Sequence, residues 1–138
     1  MNKIALEALA AIRVKEAEIL LNAQCYHGAY YLAGYALECL LKACVAKQVK
    51  QFDFPDKKLA NDSYTHDLTK LIVIAGLKHE LNIQESQDVD FKLNWAVVNK
   101  WSEESRYEHN IQKQDAQELF IAITDNQSGI LPWLKKFL

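Results

Sequence analysis

Residues 17–47 read AEILLNAQCYHGAYYLAGYALECLLKACVAK, and their spacing decides the fold. Ala29, Leu32, Ala33, Ala36, Leu37, Leu40, Leu41, Cys44 and Val45 recur at steps of three and four, which puts side chains on one side of an α-helix. An unbroken apolar stripe of this kind has to be buried. Tyr31, Tyr35, Glu38 and Lys42 follow the same periodicity on the neighbouring side. Aromatic rings and an ion pair therefore share one edge of the rod, and that edge is the first place to look for function.

Working outward, Ala5, Leu9, Ile12, Glu16 and Ile19 mark a first helix from Lys3 to about Leu21, built of good helix formers. Asn, His and Gly between Asn22 and Gly28 predict a turn or kink, after which the long helix runs to about Lys50. The following QFDFPDKKLANDSY reads as a loop: Pro55 biases Phe54 away from helical geometry, and Phe52 and Phe54 are expected to tuck onto the core. Thr65 is the expected N-cap of a third helix, with Asp67 in its first turn. Leu68, Leu71, Ile72 and Ala75 form its buried stripe, and Gly76 weakens its end. HELNIQESQDVD reads as polar and either irregular or, in part, a continuation of the third helix. Phe91, Trp95 and Val98 set up a fourth helix, with Leu93, Val97 and Trp101 on an adjacent face. WSEESRYEHNIQKQDAQ is too polar for core. Ala116, Leu119, Phe120 and Ile123 begin a fifth helix, which Gly129 and Pro132 should stop or bend, leaving Ile130, Leu131, Trp133, Leu134 and Phe137 to pack as a terminal piece. No stretch alternates apolar and polar residues long enough for a strand. The expected fold is all-α, an antiparallel up-and-down bundle of four to five helices.

The bulk numbers fit that reading. With 138 residues, 50% hydrophobic and 25% charged, the chain makes one domain, residues 1–138, able to build a core without a metal or disulfide. A net charge of −2 gives no overall attraction for nucleic acid, so a nucleic-acid role would need a local basic patch. Lys42, Lys47, Lys50, Lys57 and Lys58, with Lys135 and Lys136, are either such a patch or ordinary solvated helix ends. Cys25, Cys39 and Cys44 form no CxxC pair and read as small thiols in a reducing compartment. The amphipathic N-terminus lacks a signal-peptide pattern, and no run approaches the ~20 apolar residues of a membrane span. A cytoplasmic protein with no membrane partner is expected. His27, His66, His79 and His109 have no metal-ligand spacing, and Gly28, Gly34, Gly76 and Gly129 make no phosphate loop, so neither metal nor cofactor is expected. No DNA-specific motif is present.

The Tyr-rich helix ending ALECLLKA, the FP loop, the helix opening YTHDL, the segment WSEESRYE and the helix DAQELFIAI, in that order, resemble the HEPN domain of the stand-alone prokaryotic type. The resemblance implies a small helical bundle that commonly pairs as a homodimer. It also implies nucleotide or RNA binding, and a role in toxin–antitoxin or defence systems with a protein partner encoded nearby. Many HEPN proteins are metal-independent ribonucleases with an Arg-x(4–6)-His motif at the dimer interface. Arg106, in SRYE, stands where the family arginine would be, but Ile111, Gln112 and Lys113 occupy the histidine positions, so the motif is not intact. His109 lies three residues after Arg106, which on a helix would share its face; in a slipped site Arg106 would stabilise phosphorane-like charge and His109 would take the 2′-hydroxyl proton.

The remaining candidates stay open between structure and function. Glu38 and Lys42 make an i,i+4 pair worth roughly 0.2–0.5 kcal/mol, or Glu38 instead fixes the Arg106 guanidinium. His66 and Asp67 either cap a helix or contact a phosphate. Tyr31, Tyr35 and Tyr107 suit base stacking or a protein interface. Gly28, Ala33 and Gly34 beside Tyr30, Tyr31 and Tyr35 would let a second copy approach the long helix closely.

Overall fold

The computed structural model describes residues 2–48 and 57–138. Among them every regular element is helical: α1 (Lys3–Asn22), α2 (Tyr26–Lys47), α3 (Lys57–Asp62), α4 (Leu68–Ile74), α5 (Lys78–Gln87), α6 (Val89–Val98), a 3-10 helix η1 (Glu103–Tyr107), α7 (Lys113–Thr124) and α8 (Ile130–Lys135). The all-α class is what the described residues form, divided into more and shorter pieces than the periodicity suggests.

The turn from α1 to α2 takes three residues. Cys25 N–H donates to the Leu20 carbonyl and Gln24 N–H to that of Leu21, the paired bonds of a Schellman motif. Gln24 takes the left-handed position with φ of 64°, where glycine is usual. This reversal lays α2 back along α1. A Cβ on Gly28 would meet the Leu20 side chain at 3.0 Å, so the two rods are close there.

The apolar stripe of α2 is buried as its spacing requires: Ala33, Ala36, Leu37, Leu40, Leu41, Cys44 and Val45 are all core residues. Helix α2 packs against α1, α4, α7, α8 and η1, so it is the central rod of the fold. By length and mean hydropathy of 1.2 it reaches what a membrane span needs, which the apolar runs of the chain alone did not suggest; 67% of that window is buried against the other helices. The burial of Cys44 pushes its thiol up to about 11, and burial likewise raises Cys39, while Cys25 is exposed.

Several expectations are corrected by local chemistry. Asp67, not Thr65, caps α4: its carboxylate accepts the Lys70 N–H, while Thr65 Oγ1 accepts the Asp67 N–H one step earlier. Gly76, with φ of 74°, ends α4 in a second Schellman turn rather than weakening it from within. The polar HELNIQES is helix α5, because one fully buried anchor, Leu81, suffices where the rest faces water. Part of the expected loop after α2 is helix α3. Pro132 does not break a helix: it sits in the first turn of α8, where its missing N–H costs nothing, with Gly129 as N-cap. Phe91, Trp95 and Val98 are buried on α6, whereas Leu93 is exposed. The extension of α2 to Lys50 and the packing of Phe52 and Phe54 fall outside the described residues.

Candidate functional site

One edge of α2 carries Tyr31, Tyr35, Glu38 and Lys42, and the chain folds other elements over it. Tyr31 and Tyr35, one turn apart, stack with ring centroids 6.0 Å apart, and Trp101 stacks on Tyr31 at 6.3 Å. Trp101 can come so near because residue 34 is glycine; a Cβ there would lie only 2.1 Å from the indole. Arg13, from α1, lies 5.9 Å above the Tyr35 ring and also binds Glu16. From η1, Arg106 sits 4.9 Å from the Tyr107 ring. Its guanidinium is held above its ordinary range chiefly by the neighbouring Tyr107, with smaller contributions from Tyr31 and Glu103. Arg106 and Tyr107 are exposed. Two arginines and four aromatic rings therefore line one strip.

At the far end of the same edge lies a polar cluster. Glu38 is 2% exposed, and its Oε2 accepts from Lys42 Nζ at 3.2 Å and faces His66 Nδ1 at 3.0 Å. The other ring nitrogen of His66, Nε2, lies 3.1 Å from Glu103 Oε2. His66 thus bridges a carboxylate of α2 and one of η1. Beside it opens a recess of about 640 Å3 lined by Thr65, His66, Thr69, Asn99, Trp101 and Glu103. Among the described residues, Glu38 Oε1, Trp101 Nε1 and Ser105 Oγ are buried without a hydrogen-bond partner. These atoms belong to the two elements that meet here, α2 and the segment leading through η1.

The structure brings together most of the residues the sequence singles out, though not always as expected. Glu38 pairs with Lys42 and His66, and Arg106 lies instead over the Tyr107 ring. His66 faces Glu38 and Glu103, and the Asp67 carboxylate caps the start of α4 by accepting the Lys70 N–H, which is the capping role of the two expected for this pair. Arg106 and His109 do not share a helix face: η1 stops at Tyr107 and Glu108 is extended, with ψ of 138°. The His109 carbonyl accepts from His27 Nε2 at 3.0 Å, tying this segment to the start of α2. Gly28 lies against Leu20 and Gly34 against Trp101, and Ala33 is buried, so the close approach these small residues allow is made by other parts of the same chain. Trp101, Glu103 and Arg13 were not legible as site residues, because each reaches the edge of α2 from a distant segment. Among the described residues no three His, Cys, Asp or Glu side chains gather as metal ligands. Comparison with known proteins supplies no relative: no family model, no curated protein and no solved structure matches this chain.

Proposed function

We propose that this chain is a HEPN-like helical protein that works by binding, holding RNA or a nucleotide on the Tyr31–Tyr35 edge of α2, with a degenerate ribonuclease motif. The supporting observation is the juxtaposition of Arg106 and Arg13 with Tyr31, Tyr35, Tyr107 and Trp101 along one strip. Aromatic faces stack bases and guanidinium groups hold phosphate, which is the combination single-stranded nucleic acid requires. A chain with net charge −2 confines such binding to this strip rather than spreading it over the surface. Pairing with a second copy or with a protein encoded nearby, in a toxin–antitoxin or defence setting, belongs to the same reading through the resemblance set out above. Any such partner would cover the exposed Arg106 and Tyr107, since the small residues of α2 are already covered. The test is fluorescence anisotropy with a labelled single-stranded RNA of mixed sequence. Tyr31→Leu and Arg106→Ala should each weaken binding by about tenfold or more, given ~1–3 kcal/mol for each stacked base. Binding equal to that of the parent protein in both variants would refute the strip as the site.

The second reading, a metal-independent endoribonuclease using Arg106 and His109 at a dimer interface, rests on both side chains being exposed in one short segment. Incubating the RNA with protein in chelator settles between the two. Cleavage that disappears in both Arg106→Ala and His109→Ala would favour the enzyme, and intact RNA with retained binding favours the degenerate motif.

A further inference from the structure

We infer that His66 is a proton-operated clasp that fastens η1, and with it Arg106, onto α2. The proposal goes beyond the binding reading and is tested without any ligand. It starts from valence: a neutral imidazole has one N–H and one lone pair, while an imidazolium donates from both nitrogens. Both nitrogens of His66 face carboxylate oxygens, Glu38 Oε2 at 3.0 Å and Glu103 Oε2 at 3.1 Å. Only the protonated ring can donate to both. Once the proton leaves, a lone pair faces one carboxylate and that contact turns from attraction to repulsion.

Which contact breaks follows from burial and from the other groups present. Glu38 is buried on the central helix and is also held by Lys42, so the Nδ1 contact survives. Glu103 is 33% exposed and belongs to a five-residue 3-10 helix, so it is the side that lets go. The remaining charges around the ring are Asp67 next in the chain and Lys100 and Glu104 on the same recess; neither acid is bonded to the ring, and Lys100 belongs to the connection between α6 and η1. Histidine is the side chain whose ordinary charge change falls between about pH 5 and 8, and that is the span over which the clasp is tested. The seam is suited to opening. A buried polar atom without a partner is costly, and Trp101 Nε1, Ser105 Oγ and Glu38 Oε1 are three such atoms at this seam that water could reach if η1 lifted. Lifting η1, which packs on α2, carries Arg106 away from that helix, so the proton on His66 sets whether the cationic side of the strip is assembled.

The readout is amide hydrogen exchange, expressed as protection factors to remove the intrinsic pH effect. The Ser105 and Glu108 amides, which donate to the Ser102 and Ser105 carbonyls, report on η1, and the amides of residues 37–41 report on α2. Between about pH 5.5 and about pH 8.5, protection of η1 should fall about two- to fivefold, the scale of a partly exposed ion pair, while α2 stays constant. His66→Gln should make η1 protection flat across that range. Glu103→Gln should do the same, because its amide can accept from one ring state and donate to the other, and its exposed position keeps the fold intact should the His66 variant lose helicity. A flat profile in the parent protein, or a slope unchanged by Glu103→Gln, would overturn the clasp.

Discussion

Helix α2 and the 3-10 helix η1 form the two walls of the same strip, yet they are held in opposite ways. Twelve of the 22 residues of α2 are buried, and four α-helices besides η1 pack on it. Of the five residues of η1 only Ser105 is buried, and its hydroxyl has no partner. One wall is fixed many times over by burial of apolar surface; the other rests on an indole, a bridging imidazole and an arginine. The difference teaches how a small bundle can present an adjustable surface. The central rod supplies a rigid floor of tyrosines, and a short polar segment with little burial of its own carries the charged side chains, the kind of element that opens locally at low cost.

The comparison can be broken most forcefully from the rigid side. Leu37 is fully buried in the core cluster, so Leu37→Ala should cost about 3 kcal/mol or more, measured by urea denaturation. A loss below about 1 kcal/mol would mean that α2 is not the fixed wall. Gly34→Ala addresses the seam itself, because its Cβ would enter the Trp101 ring and the indole must move. Overpacking of this kind costs about 1–3 kcal/mol. Its sharper signature is local: protection of the η1 amides should collapse while α2 keeps most of its own. Equal losses in both elements would show that the two walls are one cooperative unit.

The same contrast explains what could be read from the chain. The burial of α2 was legible because periodicity is a local property, and so were the buried positions Phe91, Trp95 and Val98 of α6. The resting place of Trp101 was not, since only a glycine 67 positions earlier makes room for it. A turn between Asn22 and Gly28 was legible, but its pivot was not, because Gln24, not glycine, takes the left-handed position. Helix α5 was hidden because a helix that buries one leucine looks polar. Tyr31, Tyr35, Glu38 and Lys42 stood out by spacing alone, but the partners that turn them into a strip, Arg13, Trp101, Glu103 and His66, are contributed by tertiary folding. The spacing of Arg106 and His109 carried an implicit helix, and the chain leaves helical geometry between them.

The mildest test separates the pH response of the seam from that of the remaining fold. Asp88 caps α6 by accepting the Phe91 N–H at 3.1 Å and takes the Ser128 hydroxyl at 2.8 Å, joining the α5–α6 corner to the turn before α8. Those two bonds hold its carboxyl below the ordinary aspartate value of 3.8. A depressed value means that the native state favours the charged form, so this stabilisation is present above 3.8 and is lost as the pH falls through the lower native value. Denaturation midpoints should therefore drop more steeply below about pH 4 in the parent protein than in Asp88→Asn, which keeps a capping oxygen but cannot ionise. The η1 protection should follow that drop only as part of global unfolding, since the group that fastens it is the imidazole of His66 and not a carboxyl at the α5–α6 corner. Equal acid slopes in both proteins would remove Asp88 from the account. An η1 response that began at the same acidic pH in the parent, and shifted with Asp88→Asn, would tie the soft wall to the α5–α6 corner rather than to the imidazole.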